Sequence, residues 1–114
     1  DLMAFFIDKA SGALVGGSGL HHADWQLRQF EVGYWGHSRF LGKGFITEGV
    51  AALTEYALQQ LGANRVFLTT DELNMASWRL AERAGFQLEG TLRNDRLNMQ
   101  GELRNTRVYS RIRR

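Results

Sequence analysis

The chain has 114 residues, 44% hydrophobic and 23% charged, with a formal net charge of +2, which is one domain's worth of ordinary globular composition. No apolar run is long enough to span a bilayer, which sets a membrane partner aside. Cysteine is absent, which excludes disulfides, thiolate metal ligands and cysteine nucleophiles and fits a reducing cytoplasm. In chain order, residues 2–8 are apolar and aromatic and read as a strand. Lys9-Ala10-Ser11-Gly12 supplies turn chemistry, and the Gly-rich stretch 13–20 predicts the second strand of a hairpin. A polar connection over 21–29 follows. Phe30, Val32 and Tyr34 then alternate with Glu31, Gly33 and Trp35, the period of a third strand. After a loop over 37–44, Ile46, Val50, Leu53, Ala57 and Leu61 recur at helical spacing, and Gly62 stands where a left-handed cap would end the helix. A β-branched run over 65–70 predicts a buried strand. Asn74 is placed to cap a second helix over 75–84, which Gly85 ends. Strands over 86–92 and 106–112 close the chain around a polar stretch over 94–105.

The order β-β-β-α-β-α-β-β predicts one α/β (α+β) domain over residues 1–114. Its sheet is mixed and mostly antiparallel, with two helices and a central parallel pair joined by a right-handed crossover. The chain opens at Asp1 directly in a strand-like run, so a preceding N-terminal segment is expected. An edge bared by a missing first strand favours pairing with another chain, and a homodimer is the expectation.

The arginines Arg93, Arg96, Arg104, Arg107, Arg111, Arg113 and Arg114 crowd the tail. They suit either a nucleic-acid surface or an edge hairpin whose cations discourage edge pairing. Asp95 and Glu102 interrupt the run and favour the second. His21 and His22 are adjacent on an extended segment, and neighbours on a strand point to opposite faces. They are not expected to converge on an ion, and no metal site is expected. Trp25, Trp35 and Trp78 read as packing residues, with Trp35 the one best placed to meet a ligand.

Leu41-Gly42-Lys43-Gly44 leads into the long helix without bringing a capping oxygen. Helix N-termini present unpaired N–H groups and a partial positive charge, so an anion such as a pyrophosphate fits there, with Lys43 adding charge. A Walker loop is excluded because Lys43 is followed by Gly44 rather than Ser or Thr. A dinucleotide fingerprint fails for want of its third glycine.

Glu31-Val32-Gly33-Tyr34-Trp35, the Gly-Lys-Gly loop and Phe45-Ile46-Thr47-Glu48 together resemble the acetyl-CoA motif of GNAT acetyltransferases. Asn74-Met75-Ala76-Ser77 followed by Gly85-Phe86 resembles the second helix motif of that superfamily, in its RimJ/RimL-type branch. The resemblance covers this whole chain and the C-terminal two-thirds or so of the family domain. The superfamily loop reads Gln/Arg-x-x-Gly-x-Gly/Ala. Here Leu41, Gly44 and Ile46 occupy its three positions, whereas the shifted register Arg39, Gly42, Gly44 matches the letters fully. The first keeps the helix onset at Thr47-Glu48 and is preferred.

The resemblance implies N-acetyl transfer from acetyl-CoA, as co-substrate, to a primary amine on a protein N-terminus or a small molecule. It implies a sheet splayed between the strand of Glu31 and the strand over 65–70. The pantetheine arm would lie along Val32, Gly33, Tyr34 and Trp35. The pyrophosphate would lie on backbone donors from Leu41 and Gly42 through Lys43, Gly44, Phe45, Ile46 and Thr47. Asn74 would contact the pantetheine amides as well as cap its helix. Glu31 is the candidate base, or else a solvated or ion-paired strand glutamate. Ser77 is the candidate partner of the leaving sulfur, or else a first-turn serine supporting the cap. Gly33 suits a bulge that turns an N–H toward the thioester carbonyl, or else relieves crowding. Two alternatives compete with the enzyme: a non-catalytic CoA-binding or assembly module on the same fold, and, ranked last, a basic nucleic-acid-binding module.

Overall fold

The structure, a computed structural model, describes residues 2–7, 14–36 and 44–113. Six strands and two helices follow the expected order: β1 (Leu2–Ile7), β2 (Leu14–Asp24), β3 (Gln29–Gly36), α1 (Phe45–Gln59), β4 (Arg65–Asp71), α2 (Met75–Arg83), β5 (Gln87–Leu97) and β6 (Leu103–Ile112). They form one mixed sheet in the order β1-β2-β3-β4-β6-β5, in which only β3 and β4 pair in parallel.

Right-handed crossovers from β3 to β4 and from β4 to β5 put α1 and α2 on the same face. Their apolar stripes meet there in one core. Ile46, Val50, Leu53 and Ala57 of α1 and Leu80, Ala81 and Ala84 at α2 close over Phe30, Val32, Val66, Leu68 and Tyr109. Each fully buried Val, Leu or Ile contributes about 1.5–3 kcal/mol relative to exposure. On the opposite face, no helix among the described residues covers Glu31, Gly33, Trp35, Phe67 and Thr69, which alternate with the core positions.

Both helices end as their glycines predict. Gly62 (φ 67°) and Gly85 (φ 90°) are left-handed, and the amides behind them turn back on the helix, Ala63 onto the Ala57 carbonyl and Phe86 onto the Ala81 carbonyl.

Two expectations need correction. The polar connection over 21–29 is largely strand, because β2 runs on to Asp24 and leaves only a tight turn. Asp24 Oδ1 accepts the amides of Gln26 and Leu27 and closes that turn. The polar stretch over 94–105 is likewise mostly strand, since the β5–β6 ladder continues to Leu97↔Leu103, and Asn98 folds the short turn by accepting from the Gln100 and Glu102 amides. The tail arginines divide: Arg93 and Arg96 lie on β5, an edge strand of the sheet as expected, whereas β6 lies inside the sheet between β4 and β5. Its arginines find internal partners: Arg104 on Asp71, Arg111 on Glu55, and Arg107 on Tyr109 and over the Trp78 ring.

Candidate functional site

The sheet is continuous except at one seam. β3 stays paired with β2 from Gln29 to Gly36, and β4 stays paired with β6 along its whole length. Between them the parallel ladder holds only Gln29↔Arg65, Phe30↔Val66 and Glu31↔Phe67. Past Glu31 the two strands part, so the backbone groups of Val32 to Trp35 that face β4 lose their sheet partners. Such groups seek polar partners, and an extended amide-bearing ligand supplies them.

Two helix N-termini flank this gap. Gly44 is the N-cap of α1, left-handed at φ 85° and with no side-chain cap. The helical ladder opens with the Glu48 N–H donating to the Gly44 carbonyl, so the amides of Phe45, Ile46 and Thr47 precede it. Thr47 Oγ1 is buried and has no hydrogen-bond partner among the described residues. A buried hydroxyl without a partner is costly, and here it sits beside a ready-made anion site. The Ile46 side chain is fully buried in the core, so only its backbone can serve a ligand. Leu41, Gly42 and Lys43 lie outside the described residues.

The N-terminus of α2 is closed. Asn74 caps it through Oδ1, which accepts the Ser77 amide at 3.2 Å. The Ser77 hydroxyl lies 2.6 Å from the Tyr34 hydroxyl, which also reaches the Ser77 carbonyl at 2.9 Å. Sequence reasoning missed this bond across the gap. Tyr34 has one proton for two acceptors. Given to the carbonyl, it makes Ser77 the donor to Tyr34. Given to Ser77 Oγ, it leaves the serine proton for a third group. Burial pushes the Tyr34 phenol above its ordinary pKa, against the smaller effect of the Ser77 bond, so it stays protonated and able to donate.

On the helix-free face, Glu31 stands at the last rung before the gap. Its Oε1 lies 2.5 Å from His22 Nδ1, and its Oε2 accepts from Thr69 Oγ1 at 3.5 Å. Thr69 Oγ1 in turn accepts from Arg96 at 2.9 Å. The expected bulge is absent at Gly33, where the ladder with β2 is regular; the register shift lies in β2 between His21 and Asp24, across from Phe30. His22 sits in that shift with φ 51°, which turns its ring toward Glu31. The two histidines consequently share a face, with ring centroids 5.9 Å apart, contrary to simple strand alternation. Gly33 does relieve crowding, because an added Cβ would come within 2.6 Å of His21 Nε2. Ser18 fixes the same point by donating to the Gly33 carbonyl at 2.8 Å. Trp35 is 44% exposed on this face, and Trp25 is exposed with its edge on Phe30. Trp78 is partly buried and packs on the core.

Comparison with known proteins gives this geometry a context. Residues 1–87 match the family described as the acetyltransferase (GNAT) domain. YdaF, a candidate ribosomal N-acetyltransferase of Bacillus subtilis (strain 168), is 38% identical over 103 residues, covering 90% of this chain and 56% of that protein. The uncharacterized N-acetyltransferase p20 of Bacillus licheniformis is 31% identical over 108 residues, covering 95% of this chain and 60% of its own length. The chain thus spans little more than half of these relatives. A candidate acetyltransferase of solved structure superposes with a TM-score of 0.81 at 36% identity, covering 89% of this chain and 56% of that one. A candidate ribosomal-protein-serine acetyltransferase from Vibrio cholerae superposes at 0.80 with 26% identity, covering 97% and 64%.

Proposed function

The chain belongs to the acetyltransferase (GNAT) family, and from that membership we propose that it transfers an acetyl group from acetyl-CoA directly to a primary amine. The observation that carries the reading is the seam itself: β3 and β4 part at Glu31, and an α-helix opens beside the gap with an uncapped N-terminus. The backbone of Val32 to Trp35 is suited to the pantetheine amides, with Asn74 on the other wall. The amides of Gly44 to Thr47 and the unpartnered Thr47 hydroxyl are suited to the pyrophosphate.

Each chemical step then has a group beside it. Glu31 governs removal of the amine's proton, directly or through an intervening group. Ser77, backed by Tyr34, faces the departing sulfur and supplies its proton. An α-amino group titrates near pH 8, so at neutral pH its deprotonation costs about one pK unit, against about three for a lysine amine. The ribosomal-protein acceptors named for the relatives agree with a protein N-terminal α-amine, and small-molecule amines remain within the same chemistry. A reducing cytoplasm is the compartment this reading implies.

Two measurements test it on the full-length protein. Calorimetry with CoA should give saturable heat, and thiol release from acetyl-CoA should require an added amine. No CoA binding at millimolar concentration would sink the reading. Binding without turnover on any amine would leave a CoA-binding module instead.

A further inference from the structure

Resting on that reading, we propose that His22 accepts the proton of the acceptor amine and that Glu31 is its positioning residue rather than the base itself. Both oxygens of Glu31 are already engaged, Oε1 with His22 Nδ1 at 2.5 Å and Oε2 with the Thr69 hydroxyl. A carboxylate at that distance from Nδ1 holds the proton on that nitrogen, and the lone pair is then left on Nε2. The His22 side chain is 75% exposed, whereas that of Glu31 is 21% exposed, so Nε2 is the accessible end of the pair.

The backbone is set up for this contact. His22 adopts φ 51° at the register shift of β2. Regular alternation would have sent its ring to the other face, away from Glu31. Left-handed backbone at a residue that is not glycine persists only where the surroundings hold it, and such positions gather at functional sites.

The chemistry favours the imidazole as well. Imidazole is the side chain most often used as a general base, and with Nδ1 committed to a carboxylate its other ring nitrogen is left as the acceptor. The remaining charged neighbours are accounted for. His21 on β2 lies edge-on to the His22 ring and against Gly33. Arg96 of β5 acts on Glu31 only through Thr69 and is paired with Asp95. Asp24 is committed to its turn.

The balance of the step is simple. The ammonium gives one proton to His22 Nε2, and the freed nitrogen pair forms the C–N bond. The C–S bond then breaks as a second proton passes from that nitrogen to sulfur by way of the Ser77 hydroxyl. Glu31 stabilises the imidazolium until it returns its proton to water.

The test uses the full-length protein with acetyl-CoA and whichever amine the wild type acetylates. His22→Asn and His22→Gly both suit the left-handed backbone. Each should lower kcat about 100-fold and leave KM for acetyl-CoA unchanged. Free imidazole should restore a measurable part of the His22→Gly rate and none of the Glu31→Gln rate. Nitrogen NMR of the neutral ring should find the proton on Nδ1 in the wild type and a mixture in Glu31→Gln. If the His22 variants keep the wild-type kcat while Glu31→Gln loses it, Glu31 is the base and the proposal falls. A loss in His22→Gly that imidazole does not relieve means a structural role and also overturns it. A wild type that binds CoA but acetylates no amine overturns the enzymatic reading first, and this proposal with it.

Discussion

The two helices of this domain begin in opposite ways a short distance apart. α1 starts at a left-handed glycine with no capping side chain, and a buried threonine hydroxyl in its first turn has no partner among the described residues. α2 starts at an asparagine whose side chain accepts the Ser77 amide, and its first-turn serine is bonded to Tyr34 of β3. Identical backbone physics leaves unpaired donors at both ends. One end supplies the acceptors from its own sequence and thereby holds a hydroxyl still. The other withholds them and leaves its first amides without a capping side chain. The contrast separates positioning from binding, and it can be broken by exchanging the properties of the two ends.

The largest effect is expected from sealing the open end. Gly44→Asp puts a carboxylate at the N-cap of α1, where no described atom lies within 4 Å of the new Cβ and where aspartate tolerates the left-handed backbone better than most residues. The added charge repels a diphosphate by about 2–3 kcal/mol, roughly a hundredfold in the Kd for CoA by calorimetry. The apo protein should lose some thermal stability, because a side chain at φ 85° is strained. Undiminished CoA affinity would mean that the α1 N-terminus does not carry the anion.

Opening the closed end is the converse change. Asn74→Ala removes the α2 cap and should cost about 1 kcal/mol. For a domain of this size that lowers Tm by about 4–8 °C, whereas Asn74→Gly should cost only a few tenths of a kcal/mol. Equal losses for the two substitutions would show that the side chain acts on something other than the helix. Thr47→Val sharpens the comparison from the α1 side. It keeps the shape and deletes the unpartnered hydroxyl, so the apo protein should be as stable as the wild type or slightly more so. CoA affinity should fall about five- to tenfold, the worth of one hydrogen bond. A joint loss of stability and affinity would mean that Thr47 is already bonded within the fold.

Much of this was legible in the residues. Period-two alternation over Phe30 to Trp35, helical spacing over Ile46 to Ala57 and the glycines at 62 and 85 each dictated a local geometry that the fold keeps. Asn74 was readable as a cap for the same reason, since its side chain acts only three residues away. What was hidden depends on register between distant segments. The Tyr34–Ser77 bond joins residues 43 apart, and the His22–Glu31 contact needs a one-residue register shift with left-handed backbone that no local pattern announces. The polar stretches over 21–29 and 94–105 misled for a related reason. Residues 22–24 and all of β5 are exposed, and a strand that buries neither face carries no apolar alternation to read.

The smallest effect concerns what steadies the closed end from behind. Asp71, the last residue of β4, accepts two bonds from Arg104, at 2.7 and 2.9 Å, and one from the Leu73 amide at 2.8 Å. Its carbonyl receives the Asn74 amide, so the pair steadies the loop that enters α2. The Arg104 bonds, and after them the Leu73 amide, lower the Asp71 carboxyl from 3.8 to about 2. The unfolded chain therefore binds more protons than the folded one between those values, and stability rises with pH across the window. This contribution is complete above about pH 5 and disappears as pH falls through about 2. Arg104→Gln should lower Tm modestly at pH 6, as expected for a pair that is still partly open to solvent. The gap from the wild type should close steadily as both are taken from pH 5 toward pH 2. A gap that stays constant over that range would assign the effect of Arg104 to packing along β6 rather than to its charge on Asp71.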